Sequence, residues 1–206
     1  MRPLRSRAAE SSFHYAISTP MNIKTADPRA FRDILGLYAT GVAVIATDID
    51  GQVHAMTANA VSSLSLDPML VLFCPAKRAR FSRLLPRAAG FSVNFLRDEQ
   101  EALSTYFAGG WQETEPPRYR FVTTDGMPRL EGSLASLICT KRDVYEGGDH
   151  WLVTLEVRQL HRGVEPLRPL LFFRGKYRRV DARDGTTAPD IANTADEPVQ
   201  MYYHDR

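Results

Sequence analysis

Cysteine is scarce in this 206-residue sequence: Cys74 and Cys139 stand far apart and in no CxxC pair. That argues against a disulfide framework or a cysteine-based zinc site, and makes a reducing cytoplasm the expected compartment. An excess of charge of one sign is missing too. Against 26 Lys+Arg stand 24 Asp+Glu, a net charge of +2, so nothing suggests a nucleic-acid binder. No run reaches the roughly 18 consecutive apolar residues of a membrane helix. The longest uncharged stretch, Gly51 to Leu66, is interrupted by Gln, His, Asn and Ser, and no membrane association is expected. GxGxxG, HExxH and GxSxG are absent, and Gly36-x4-Gly41 is followed by Val42 where a phosphate-binding loop needs Lys. The five histidines, His14, His54, His150, His161 and His204, are scattered singly, without metal-ligand spacing.

What is present is an ordinary globular composition, 44% hydrophobic and 10% aromatic, enough for one domain. Residues 1–26, with Arg2, Arg5 and Arg7 but no apolar core of a secretory signal, read as a flexible N-terminal extension. Residues 27–180 read as the domain. Residues 181–206 read as a polar, extended or disordered arm whose last aromatics, Tyr202 and Tyr203, are expected to dock on a partner subunit.

Asp27-Pro28 opens a helix with Phe31, Ile34, Leu35 and Tyr38 on one stripe, closed by Gly41. Val42 to Thr47 and the segment from Gln52 onward read as strands joined by an Asp50-Gly51 turn, and Met69 to Cys74 as a strand buried on both faces. A helical pattern follows Lys77 up to Gly90, then a strand from Phe91 to Leu96. Asp98 to Glu101 starts a short helix ending at Phe107. The stretch from Gly109 to Gly132 reads as loop around one strand near Tyr119 to Thr123. Two long strands, about Leu134 to Tyr145 and Trp151 to His161, hinge on Gly147-Gly148, and a last strand covers Leu170 to Val180. Strands following one another through tight turns predict a mainly β fold, an antiparallel barrel with a few packed helices.

Three features suggest chemistry. From His54 to Cys74, small and hydroxyl residues crowd a strand-like segment, and alternation would put Thr57, Asn59 and Val61 on one face and Ala58, Ala60 and Ser62 on the other. Small side chains let a flat ligand reach backbone groups, although a strand crossing a tight barrel corner would look the same. Lys77, Arg78, Arg80, Arg83 and Arg87 cluster at the start and along one side of the second helix, as an anion site or as solvated surface arginines. Gly147-Gly148-Asp149-His150 holds a histidine at a strand end, over a cleft or merely decorating a turn.

In order and spacing, FRDILGLYATGVAVIAT, MTANAVSSLSLDPMLVLFC, GFSVNFLRDEQEALSTYFAGG, GGDHWLVTLEV and RPLLFFRGKYRRV resemble the short-chain flavin reductase family over about Arg29 to Val180. These are the small NAD(P)H:flavin oxidoreductases that serve two-component flavin monooxygenases. The resemblance implies a split antiparallel β-barrel, the FMN-binding split barrel, as a homodimer that binds FMN or FAD without a Rossmann fold. By position it implies that Met56, Thr57, Ala58, Asn59, Ala60, Ser62 and Ser63 frame the flavin, with Cys74 at the end of the same stretch in the cofactor-binding set. Arg78, Ala79 and Arg80 would hold the flavin phosphate, and Phe107 and Ala108 would sit near the flavin. His150 would be the catalytic residue on the nicotinamide side. Arg174, Gly175 and Tyr177 match the closing strand motif, Arg174 within the cofactor set. Ala55 stands where many relatives have Gly, and Ala79-Arg80 where some carry Ser, which moves phosphate recognition toward guanidinium and backbone contacts.

The expected reaction is hydride transfer from NADH or NADPH to FMN or FAD, the reduced flavin diffusing to a partner monooxygenase. The flavin does the chemistry, and the protein positions the two rings and excludes water. The rival reading is a non-catalytic split-barrel electron carrier that binds flavin or haem.

Overall fold

Asp27 accepts hydrogen bonds at its Oδ1 from the backbone N–H groups of Arg29 (2.8 Å) and Ala30 (3.0 Å), which fixes the start of helix α1, Pro28–Leu35. The computed structural model describes residues 27–180, so the expectations for residues 1–26 and 181–206 lie outside the described residues. The helix stops at Gly36, whose N–H returns to the Arg32 carbonyl. Its stripe is not covered by the rest of the described residues. Phe31, Ile34, Leu35 and Tyr38 are all at least half exposed.

Twelve strands follow: β1 Thr40–Gly41, β2 Ala43–Ile49, β3 Gln52–Ala58, β4 Val61–Leu66, β5 Met69–Phe73, β6 Gly90–Phe95, β7 Phe121–Thr124, β8 Met127–Leu130, β9 Ala135–Gly147, β10 His150–Arg162, β11 Leu170–Phe173 and β12 Lys176–Arg179. Helix α2, Glu101–Phe107, lies between β6 and β7. Seven strands form an antiparallel sheet in the order β3-β2-β6-β9-β10-β5-β4, so its two end strands are consecutive in the chain, joined by Asn59 and Ala60. Two smaller sheets, β1-β11-β12 and β7-β8, accompany it.

The turn at Asp50-Gly51 is as expected, with φ of +55° and +78° at the two central residues, the left-handed conformations that a tight β-hairpin requires. Four expectations are corrected. The segment after Lys77 is a short 3-10 helix, Arg80–Leu84, and not an α-helix; beyond it the Arg87 and Ala88 N–H groups turn back onto the Leu84 carbonyl. Strand β5 is fully covered on one face only: Val71 and Phe73 are buried, whereas Leu70 and Leu72, which alternate onto the other face, are half-buried, because β4 and β10 flank the strand as sheet neighbours rather than as a second layer. The last strand is a hairpin, β11 and β12, turned by Arg174-Gly175. The loop-like stretch before Gly132 holds a second hairpin, β7 and β8, turned by Asp125-Gly126.

Apolar residues on the inner faces form two clusters. The larger includes Ile45, Phe73, Phe81, Phe91, Val93, Val153 and Leu155, with the rings of Phe73 and Phe91 edge to face at 5.5 Å. The smaller joins Val42, Val44, Leu96, Leu103, Leu130 and Leu170. Between sheets sits a satisfied buried amide. Asn94 donates from Nδ2 to the Val44 carbonyl (3.0 Å) and accepts at Oδ1 from the Leu130 N–H (3.0 Å), fastening β8 onto the main sheet.

Candidate active site

Strand β3 ends at Ala58 and β4 begins at Val61, so the segment read as one strand is broken at Asn59-Ala60. The alternation of faces therefore stops at the seam. Ala58 is buried, Met56 and Thr57 are half-buried, and Asn59, Ala60, Ser62 and Ser63 are exposed. The Ala60 carbonyl accepts the Cys74 N–H at 3.0 Å, which holds the seam against the end of β5. Cys74 is half-buried, and desolvation raises its thiol pKa. Thr57 donates its hydroxyl to the Ser104 carbonyl on α2 at 2.6 Å. Ser104, fully buried, shares a 2.8 Å hydrogen bond between its Oγ and the Tyr177 hydroxyl on β12.

The chain then runs from Cys74 into a basic loop that is tied to the β9–β10 turn. The Lys77 N–H donates to the Asp149 carbonyl, the Trp151 N–H donates to the Pro75 carbonyl, both at 2.9 Å, and Ala76 pairs with His150 in an isolated bridge. Thus the arginine loop and the Gly-Gly-Asp-His turn, more than 70 residues apart in sequence, are one structural unit. His150 Nδ1 lies 2.7 Å from Asp149 Oδ1, a contact that fixes the imidazole orientation. The hydrogen bond from His150, then its charge, hold the Asp149 carboxyl below its ordinary pKa, with a smaller contribution from Arg78. Lys77 places its ammonium 4.7 Å from the Trp151 ring centroid and 3.4 Å from Glu146. Arg78 and Arg80 are exposed, and neither forms an ion pair among the described residues. Ala79, half-buried between them, bonds its N–H to the Ala76 carbonyl.

Phe107 and Ala108 end α2, one helical turn beyond Ser104. Phe107 packs its ring 5.0 Å from that of Tyr119, and Ala108 is exposed. Arg174 adopts φ +51° at the β11–β12 turn and donates its N–H to the Gly36 carbonyl at 2.8 Å, so its backbone is spent on holding α1. Chain succession together with the Ala60–Cys74, Lys77–Asp149 and Ala76–His150 contacts therefore places Thr57, Ala60, Cys74, the 76–80 loop and His150 along one seam, α2 attaching through Ser104; Arg174 is fastened to α1 instead. Ser62 and Ser63 turn toward a separate apolar groove shared with Val61, Leu66, Met69 and Leu160. Sequence reasoning missed Ser104 and gave Tyr177 no role. Sequence offers little signal for either: Ser104 stands beside Thr105 and Tyr106 in a helix that opens on Glu101, and Tyr177 is one Tyr in a short strand.

The seam offers a shelf of small side chains next to two unpaired guanidinium groups, a geometry suited to a flat ring carrying a phosphate. A comparison with protein families matches residues 35–181 to the flavin reductase like domain. The reductase subunit of a flavin-dependent monooxygenase from Rhodococcus jostii is 38% identical over 170 residues, covering 79% of this chain and 83% of that protein. Among solved structures, the flavin reductase PheA2 in its native state superposes with a TM-score of 0.71 at 38% identity, covering 76% of this chain and 99% of that one. A Streptomyces globisporus NADH:FAD oxidoreductase in complex with NAD and FAD fragments does so at 0.68 and 31% identity, covering 82% and 99%.

Proposed function

From the premise that the chain belongs to the flavin reductase-like family, we propose that it reduces FMN or FAD with NADH or NADPH and supplies the reduced flavin to a partner monooxygenase. The observation that carries this reading for the chain's own residues is the union of the 76–80 loop with the Asp149-His150 turn. One rigid unit then presents a phosphate anchor and a nicotinamide-positioning imidazole together.

A flavin fits the residues present. The Ala58–Ala60 seam carries no bulky side chain against a flat ring, and Arg78 and Arg80 form no ion pair among the described residues. When bound, the flavin supplies the redox chemistry, accepting a hydride from the reduced nicotinamide. Met56, Thr57 and Ala58 wall the ring site, Asn59 and Ala60 border it, and Cys74 closes its floor, while Ser62 and Ser63 belong to the neighbouring apolar groove. Thr57 uses its hydroxyl to hold α2, so this part of the seam meets a ligand through backbone groups. Arg78 and Arg80 hold the phosphate on either side of Ala79, whose N–H is taken by the Ala76 carbonyl, and Phe107 and Ala108 cover the ring edge; Arg174, fastened to α1, stands apart from this set. His150, oriented by Asp149, positions the pyridine nucleotide and moves no proton in the hydride step.

The same reading includes a homodimer. The apolar groove beside β4 and β5 and the exposed Leu66, Met69 and Leu160 at its rim form a surface suited to a second copy, and sedimentation equilibrium tests that. It also includes a cytoplasmic location, which the two free thiols suit. The partner takes its flavin by diffusion.

The deciding experiment follows NADH oxidation at 340 nm under air, with and without FMN or FAD, and records the visible spectrum of the purified protein. Flavin-dependent turnover supports the reductase. A tightly bound chromophore without turnover favours the electron carrier.

A further inference from the structure

Five aromatic rings gather where α2 meets the β7 strand. Tyr106, Phe107, Trp111, Tyr119 and Phe121 stand with centroids 5.0 to 6.4 Å apart in each contacting pair. Phe107 and Phe121 are accounted for, since both pack on the smaller core cluster. The other three are not. Tyr119 is 41% exposed, and Tyr106 and Trp111 are half-buried.

The loop that carries Trp111 is pinned. The Gly109 and Gly110 N–H groups return to the Tyr106 and Thr105 carbonyls, both at 3.0 Å, and the Trp111 indole N–H donates to the Glu115 carbonyl at 2.8 Å. These rings therefore stand in a fixed arrangement with surface left open on the solvent side. Two cations lie beside Tyr119 in sequence. Arg120 is committed to Glu131, whereas Arg118 forms no ion pair among the described residues. Open aromatic surface, with an uncommitted Arg118 adjoining Tyr119 in the chain, suits a flat heteroaromatic ring with a nearby phosphate. The platform is also close to the seam: Phe107 follows by one helical turn the Ser104 carbonyl that takes the Thr57 hydroxyl.

We infer that Tyr106, Trp111 and Tyr119 form a stacking platform for the adenine ring of a dinucleotide whose reactive end lies at the seam, an inference that rests on the flavin reductase reading. Both FAD and NAD(P)H carry that adenine, whereas FMN and reduced nicotinamide mononucleotide lack it, and the four ligands separate the sources.

The test replaces Tyr119→Leu and Trp111→Leu one at a time, keeping apolar volume while removing the π face, so a folding defect in one leaves the other usable. Kd is measured for FAD and FMN, and KM for NADH and reduced nicotinamide mononucleotide. An FAD source raises the FAD-to-FMN Kd ratio by about fivefold or more. A nicotinamide-dinucleotide source raises the corresponding KM ratio instead, and Tyr119→Phe restores the wild-type ratio in either case. Both ratios staying within about twofold of wild type in the two folded variants, or FMN and FAD weakening in parallel, overturns the platform. Wild-type protein that reduces neither flavin sinks the reductase reading itself, a separate result.

Discussion

The backbone N–H of Lys77 donates a 2.9 Å hydrogen bond to the carbonyl oxygen of Asp149, tying the basic loop to the tip of the longest hairpin. Gly148 at that tip has φ +66° and open space around the position of a Cβ. Gly148→Ala should cost about 1 kcal/mol of stability through backbone strain alone, and raise KM for both flavin and nicotinamide because the loop moves with the turn. Gly51→Ala, at φ +78° and also in open space, is the control: a similar stability loss by urea titration with neither KM affected. Equal kinetic effects in the two variants would show that the tie carries nothing.

Arg78 and Arg80 lack carboxylate partners, so removing them costs the fold little. Replacing both with alanine should weaken flavin binding by about 1–3 kcal/mol through lost charge-assisted contacts, read as Kd by fluorescence titration, and flatten its dependence on salt. An unaltered Kd removes the pair from the site.

The Asp149 carboxyl titrates below its ordinary value of 3.8, chiefly because of the hydrogen bond from His150. A depressed folded-state pKa contributes stability above 3.8 that disappears as pH falls through the folded value. His150→Ala should return the Asp149 titration, followed by carboxyl-carbon NMR, toward 3.8. A midpoint that stays low would assign the shift to another group.

Arg97 is 8% exposed and has no carboxylate partner among the described residues; its guanidinium donates to the carbonyls of Gly132 (3.0 Å), Pro166 (2.6 Å) and Val164 (2.5 Å). Arg97→Met keeps most of the volume and strands three acceptors. A loss of about 3 kcal/mol is expected in the urea midpoint, with KM for flavin little altered, since the clamp lies at the β9 start and the loop before β11.

Burial pushes the Cys139 thiol from 9.0 up to about 12. A raised folded-state pKa means the contribution to stability is intact below pH 9 and lost as pH climbs from 9 toward 12. Cys139→Ala should flatten that alkaline decline, and in the native protein at pH 8 a thiol reagent should react with the half-buried Cys74 well before Cys139. The reverse order would contradict the burial.

Local chemistry made much of this legible. Asp27-Pro28 and Asp50-Gly51 announced a helix start and a hairpin because capping and left-handed turns are written in two adjacent residues. The hairpins at Asp125-Gly126 and Arg174-Gly175 escaped notice for opposite reasons. Pro128 argued against a strand that its role as a carbonyl acceptor for Ser92 allows, and Arg174 is not a residue that advertises positive φ. The site was legible as motifs and not as geometry: the Thr57–Ser104 bond spans 47 residues and Ser104–Tyr177 spans 73, and no local pattern encodes such partners. The 3-10 turn after Ala79 showed an apolar spacing too short to sustain a helix, with Pro86 close behind.

Asn59 and Ala60 join the first and last strands of the seven-stranded sheet, so the candidate ligand seat is also the clasp of the barrel. A molecule settling there grips both margins of the sheet at once. Occupancy should therefore be felt globally: amide exchange would slow along β3 and β4 together, and the whole sheet would unzip later, by the mass-action increment that the ligand's affinity sets.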